Sequence, residues 1–440
     1  MQVLPLWLTC VLTCAAQPGT APVTLNYLHS FSAEGGAPSG PLTEVWPGVF
    51  AGVTFGEINP SDGTSLFPST LYLVNSTGFK VVHTFNPPVD GQGAYGPLLA
   101  ASDGALYGVS FGCNNVPTTI FRFDHKGNFD IMRTGLVSPS PLSEGLDLNL
   151  YGLSGNVGSP IQFFRLSPSG QYTPISALPG AGYLAIVEAP LLANDGHFYI
   201  PATGLNSVGT IYRSSISGAV TPVVTLANLS TGLMQAGNGG LYGWASTSAP
   251  LPYVFRLSLN GSYTPIYSFP SFELLSDLMQ ASDGKLYGIG VGIDGVAMVF
   301  SINPDGSSFQ VVANFNEGFL LGPPMAPLRQ GSDGKLYGVN VGGPGSIGNV
   351  FSLDLGLPRP HPSIALVQPG KISVGSGVLL TGRYLLEPQS VEFNGAPATV
   401  IRGISAGYVY AVVPPGASSG PITIKTPNGT ATSSQSLIVQ

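Results

Sequence analysis

One phrase recurs along the 440-residue chain and limits what it can fold into. It reads Ser102-Asp103-Gly104-Ala105-Leu106-Tyr107-Gly108, then returns at Leu150-Tyr151-Gly152, Asn194-Asp195-Gly196-His197-Phe198-Tyr199, Asn238-Gly239-Gly240-Leu241-Tyr242-Gly243, Ser282-Asp283-Gly284-Lys285-Leu286-Tyr287-Gly288 and Ser332-Asp333-Gly334-Lys335-Leu336-Tyr337-Gly338. The aromatic residues stand 44, 48, 43, 45 and 50 residues apart. A unit of that length is one supersecondary block that cannot bury its own apolar face, so its copies must pack on one another.

The unit from Asp277 to Phe315 shows the local structure. Asp277-Leu278-Met279-Gln280-Ala281 is a short strand, and Ser282-Asp283-Gly284 turns the chain into Lys285-Leu286-Tyr287-Gly288-Ile289-Gly290-Val291. Ala297 to Ile302 is a third strand, and Asn303-Pro304-Asp305-Gly306 turns it into a fourth at Phe309 to Phe315. Both turns carry Asp-Gly, which tolerates the positive φ of a tight hairpin. Four antiparallel strands in a meander make one blade of a β-propeller.

A degenerate first unit aligns Val49-Phe50-Ala51-Gly52 with Leu106-Tyr107-Gly108-Val109, making Phe50 its anchor beside Tyr107, Tyr151, Tyr199, Tyr242, Tyr287 and Tyr337. The last unit runs from Val350-Phe351-Ser352-Leu353 into Pro358-Arg359-Pro360-His361-Pro362 without a fourth strand. The first is preceded by an orphan, Leu25 to Phe31, that matches Lys80 to Phe85. The pattern predicts an all-β chain: a seven-bladed β-propeller over 23–356, closed by its N-terminal strand, and a Pro-rich linker over 357–362. A small immunoglobulin-like β-sandwich is expected over 363–440, where short alternating strands such as Ile422-Thr423-Ile424-Lys425-Thr426 replace the period.

Charged residues make up 8% of the chain, against about 25% in an ordinary domain, but 43% is hydrophobic, enough to offset ordering entropy by burial. The net charge is −7 and no run of Lys or Arg occurs, which argues against a nucleic-acid partner. Residues 1–16 read as a secretory signal, apolar from Val3 to Val11 and small-residued at Thr13-Cys14-Ala15-Ala16; acylation of Cys14 is the variant of this reading. The expected location is secreted or cell-surface. Cys113 is then the one remaining thiol, and no later stretch has the ~18 apolar residues of a spanning helix. A monomer that does not span the membrane is expected.

In the C-terminal module, Pro369-Gly370-Lys371-Ile372-Ser373-Val374-Gly375, Leu380-Thr381-Gly382, Val391-Glu392-Phe393-Asn394-Gly395 and Val413-Pro414-Pro415-Gly416-Ala417-Ser418-Ser419-Gly420-Pro421-Ile422 resemble the IPT/TIG domain family. The repeats resemble the GloVer-type tandem repeats of bacterial secreted proteins. Asp333-Gly334-Lys335-Leu336-Tyr337-Gly338, Gly342-Gly343 and Asn349-Val350-Phe351-Ser352-Leu353 match best, while the units holding Phe50, Asp147-Leu148-Asn149 and Ile200 depart from the pattern. These resemblances imply an exported bacterial protein with a sandwich used as a spacer or contact unit, and no catalytic residue to carry over.

Asp103, Asp147, Asp195, Asp283 and Asp333, with Asn238 in the sixth place, precede a turn and read as turn residues; the anchor tyrosines read as core packing. Two residues after the leading Leu come Glu44, Glu144, Gln235, Gln280 and Gln330, with Ala100 and Ala193 in the other units. If these point inward, they line the central channel as ligand-facing groups. Glu44 and Glu144 could serve glycoside hydrolysis only at separations of about 5 to 10 Å, and their blades are not adjacent. The histidines form no metal cluster, no cofactor motif appears, and no catalytic residue is assigned. Loops after the second strands, at Phe55 to Ser69, Cys113 to Thr118 and Trp244 to Tyr253, would form a recognition face, with Trp244 as an exposed indole. The expected function is a non-catalytic binding or adhesion module for an extracellular glycan or protein. The alternatives are a carbohydrate-active enzyme using propeller carboxylates, or a purely structural envelope protein.

Overall fold

The computed structural model describes residues 12–13, 23–32, 36–56, 67–112, 116–155, 160–179, 188–203, 208–227, 232–245, 252–269, 272–292, 296–315, 326–341 and 347–440. Most of the signal-like segment, Cys113, the Gly342-Gly343 pair and the centres of the three proposed recognition loops lie outside those residues. The chain is all-β, and the one helix among the described residues is the four-residue turn Pro87–Asp90.

Each repeat folds as antiparallel neighbours in sequence order. In the sixth, Met279–Gln280 pairs with Leu286–Gly292, that strand with Ala297–Ile302, and the last with Gln310–Asn314. The last repeat supplies Arg329–Gln330, Leu336–Val341 and Gly348–Asp354, and the outer place is taken by Thr24–Phe31 from the other end of the chain. Without that strand the row of backbone groups along Gly348–Asp354 would be an open edge. The first two repeats merge into one sheet through the Phe55–Gly93 pairing.

Tyrosines pack between repeats, with their hydroxyls tied to the turns. Tyr107, Tyr151, Tyr199 and Tyr242 are almost wholly buried. The Tyr287 hydroxyl donates to Asp283 Oδ2 at 2.9 Å, and Tyr337 makes the same bond to Asp333 at 2.9 Å. The other carboxylate oxygen, Oδ1, accepts from the backbone N–H two residues on, as from Lys285 at 3.1 Å. Each repeated Asp thus closes a turn and satisfies a buried phenol. The Gly after Tyr107, Tyr151, Tyr242, Tyr287 and Tyr337 makes room for the third strand: a Cβ on Gly338 would lie 2.5 Å from Phe351 Cζ and 3.0 Å from Leu328 Cδ2.

Register corrects one alignment. Glu44 pairs with Phe50 and Thr43 with Ala51, whereas Gln330 pairs with Leu336 and Arg329 with Tyr337. Phe50 therefore occupies the leucine place, not the tyrosine place, which falls to Ala51. Its ring packs on Tyr337 of the last repeat at a centroid distance of 4.0 Å, as Phe198 packs on Tyr151 at 4.6 Å. The fourth repeat is also shifted by one, because Leu192, rather than Ala193, faces Phe198.

Residues 363–440 form two further sheets, one holding Ser363–Gln368, Gly377–Arg383, Tyr408–Val412 and Val400–Ser405, the other built on Gly429–Val439 and Gly420–Thr426. They share a core of Val378, Leu380, Val391, Val409, Ile422 and Ile424, all fully buried. This C-terminal body sits on the turn side of the repeats. Asn428 Nδ2 donates to the Ser332 carbonyl at 2.7 Å, Arg383 Nη2 to the Gln235 carbonyl at 3.4 Å, and Gln368 Nε2 to the Leu146 carbonyl. These contacts touch the seventh, fifth and third repeats, so the body lies across the axis of the array.

Candidate active site in the central channel

The first strands of all seven repeats line one cavity of ≈ 510 Å³, and residues 382–384 and 406–407 of the C-terminal body close on it from the turn side. That volume lies within the ~300–1,000 Å³ of small-molecule sites.

The inward residues expected as ligand-facing turn out to be latches between repeats. Gln235 Oε1 accepts from Asn194 N–H at 2.9 Å, Gln280 Oε1 from Gly237 at 2.7 Å, and Gln330 Oε1 from Ser282 at 2.8 Å. In each case the acceptor reaches the turn of the preceding repeat. Gln235, Gln280 and Gln330 then donate through Nε2 to their own turns, at Gly239, Gly284 and Gly334. Glu144 takes the Ser102 N–H at 2.9 Å and the Ser102 hydroxyl, and also bonds the Tyr408 phenol. Burial raises its carboxyl above the usual range. Glu44 takes the Ser332 N–H at 3.0 Å and hydroxyl at 2.7 Å. Glu44, Gln235, Gln280 and Gln330 border the cavity, whereas Glu144 does not. Four of the five thus line the channel as expected while their polar atoms hold neighbouring turns, and Glu144 lies off the cavity, so Glu44 and Glu144 do not face each other across it. Trp244 is corrected as well: it is 6% exposed and packs in the core with Tyr242, Val254 and Phe269.

The chemistry lies one step further along the same strands. Five repeats enter the channel on Pro-Leu, at Pro41-Leu42, Pro97-Leu98, Pro141-Leu142, Pro190-Leu191 and Pro327-Leu328. The fourth has Glu188 just before that pair, and the fifth and sixth have Gly232-Leu233 and Asp277-Leu278 instead, so that the channel there holds Glu188, Gly232 and Asp277. Asp277 takes the proline place; the Ser276 N–H bonds the Ile289 carbonyl at 2.7 Å as Ser140 bonds Leu153 at 2.8 Å. Gly232 lets the two acids meet. Its N–H donates to Asp277 Oδ1 at 3.0 Å, and a Cβ there would sit 2.7 Å from Asp277 Oδ2 and 3.0 Å from Glu188 Cδ.

Glu188 and Asp277 hydrogen-bond through their carboxyl groups. Burial first, then the charge of Asp277, holds the Glu188 proton well above the ordinary carboxyl range, against a smaller opposing pull from Arg329. Two buried carboxyls in contact do not both ionise at low cost, which favours the protonated form of Glu188. Arg329, from the seventh repeat, feels both acids together with Arg383 and Tyr384 of the C-terminal body. Sequence reading missed this set because each member occurs once; the usable signal was the loss of the proline before the leading leucine in the fifth and sixth repeats.

No family model matches the chain, and no curated protein matches it. Solved structures do. A catalytically inactive variant of virginiamycin B lyase from Staphylococcus aureus with quinupristin aligns at TM-score 0.54 and 15% identity, over 75% of this chain and 99% of that one. A fungal alcohol oxidase of the AA5 family in complex with copper aligns at TM-score 0.53 and 11% identity, over 95% of this chain and 99% of its own. A puromycin-hydrolysing peptidase from Mycobacterium tuberculosis aligns at TM-score 0.50 and 12% identity, over 90% and 63%. At these identities the likeness carries the architecture, which is propeller-like. It also overturns the expectation of a non-catalytic binding or adhesion module, since these fold neighbours are enzymes.

Proposed function

We propose that the chain is an enzyme that performs acid–base chemistry on a small carbohydrate-derived substrate in the central channel. The observation that carries this reading is the hydrogen-bonded Glu188–Asp277 carboxyl pair beside Arg329 in a cavity of ≈ 510 Å³. Glu188, which keeps its proton, is the general acid, and Asp277 is the base. When Asp277 takes a proton from the substrate and Glu188 gives one to a departing oxygen, the pair again holds one proton. Groups tuned apart in this way divide the acid and base roles at neutral pH. The direct carboxyl contact is shorter than the ~5–5.5 Å of an acid and nucleophile in retaining glycosidases, so elimination or lactone opening at a C–O bond suits the pair better than glycosyl transfer.

The architecture we propose for this enzyme is a seven-bladed β-propeller closed by Thr24–Phe31, with an immunoglobulin-like C-terminal sandwich. Seven first strands around one cavity and two sheets over a shared core support it. Kinship with GloVer-type repeat proteins and IPT/TIG domains, and export through residues 1–16, belong to the same reading and are supported by the motifs that suggested them.

The test is turnover by the purified full chain on a panel of sugar lactones, uronate oligosaccharides and glycosides. Glu188→Gln and Asp277→Asn should each lower kcat by about 10²-fold or more, while Glu44→Gln, at a latch, retains activity. Turnover by both channel variants at the wild-type rate would refute the assignment.

A further inference from the structure

We infer that the C-terminal body completes the channel site: Arg383, carried at its tip, joins Arg329 to bind the carboxylate of a small sugar acid. This rests on the channel being the active site. The tip is a built feature. Gly382 N–H bonds the Gly407 carbonyl at 2.8 Å and Leu385 N–H bonds the Ala406 carbonyl at 2.9 Å, which fixes the turn between them. Tyr384 in that turn holds φ at 55°, a left-handed conformation that a bulky residue adopts only where its surroundings impose it. Gly382, Arg383, Tyr384, Ala406 and Gly407 all border the cavity that holds Glu188 and Asp277.

Two guanidiniums on one cavity point to the occupant. Arg329 and Arg383 both border it. Among the described residues neither forms an ion pair with a carboxylate, unlike Arg122, Arg165 and Arg213 and like Arg133, Arg256, Arg359 and Arg402, which lie away from the cavity. The two channel arginines are each held instead by a long hydrogen bond to a backbone carbonyl, from Arg329 Nη1 to Leu328 at 3.3 Å and from Arg383 Nη2 to Gln235 at 3.4 Å. The two guanidiniums are near enough to repel. Of the acids that border the cavity, Glu44 is turned to the Ser332 N–H and hydroxyl and Asp277 to the Gly232 N–H, so neither guanidinium has a carboxylate against it. A planar carboxylate accepts the paired N–H donors that a guanidinium presents. The hydroxyls of a sugar acid would suit the remaining polar lining.

Titration calorimetry on the full chain at low salt tests this with three probes: D-glucuronate, D-glucose and D-glucose 6-phosphate. Glucuronate should bind at least about tenfold more tightly than either of the others. Arg383→Ala should weaken it at least tenfold without changing glucose, and Arg383→Lys, which retains the stem and the charge, should weaken it several-fold. Glu188→Gln should still bind glucuronate, so loss of the acid–base reading through its kinetics would leave this result standing. Equal binding of glucose and glucuronate, tighter binding of the phosphate, no binding of any probe, or unchanged affinity in folded Arg383→Ala and Arg383→Lys would each overturn the inference.

Discussion

Ser332 donates its backbone N–H to Glu44 Oε2 at 3.0 Å and its hydroxyl to Glu44 Oε1 at 2.7 Å, joining residues 288 positions apart. Glu44 also takes the Gly48 N–H at 2.8 Å, so one carboxylate serves the first and last repeats together. Glu44→Ala leaves those donors without their acceptor in a part-buried seam. We expect a loss of about 2–4 kcal/mol in urea unfolding, with Glu44→Gln costing about 1 kcal/mol because the amide oxygen still accepts. Equal stability of Glu44→Ala and wild type would show that the latch is incidental.

The Glu188 proton gives a pH signature. Its folded pKa is raised, so the folded state binds the proton more tightly than the unfolded chain. The associated stability is complete below the ordinary glutamate value of 4.5 and is lost as pH rises through the raised value. Wild type should therefore lose stability relative to Glu188→Gln on going from pH 4 to pH 8. Chemical melts across that range check the sign, and a gap that is flat or widens toward acid would contradict it.

Close packing at the Tyr-Gly step predicts a sharp contrast between two glycines. Gly338→Ala puts a methyl against Phe351 and Leu328 and should cost about 2–3 kcal/mol. Gly78→Ala, where a Cβ would meet nothing within 4 Å, should be nearly neutral. Adding Phe351→Leu to Gly338→Ala should recover part of the loss; thermal unfolding of the three variants reads this directly.

A chain beginning at Ser32 lacks the strand that covers Gly348–Asp354 and loses Phe31, which is 3% exposed and packs with Tyr72 and Tyr337. We expect its Tm to fall by about 10 °C or more, with association through the uncovered edge visible by light scattering. A Tm matching the full chain would mean that the strand adds nothing to closure.

Legibility in the sequence followed repetition. The turn Asp and the anchor Tyr recur, so their shared bond at Tyr287–Asp283 belongs to a pattern that can be read by eye. Register within the degenerate first repeat did not follow from residue type, because Phe50 resembles a tyrosine chemically while standing in the leucine place. Glu144 and Glu44 looked available because a sequence shows polarity but not the Ser102 and Ser332 donors that use it. Trp244 looked exposed because it borders a loop, yet its ring lies on a strand within the core. Glu188 and Asp277 were hidden for the opposite reason: each is unique, and only the folding of nonadjacent repeats around one axis brings them into contact.

The seat of the C-terminal body on the turn side has a kinetic consequence. Residues 382–384 and 406–407 line one end of the cavity, so the C-terminal body stands in the path through that end. In the enzyme proposed above, a product leaving on that side would have to pass it, and product should then compete with substrate for the channel.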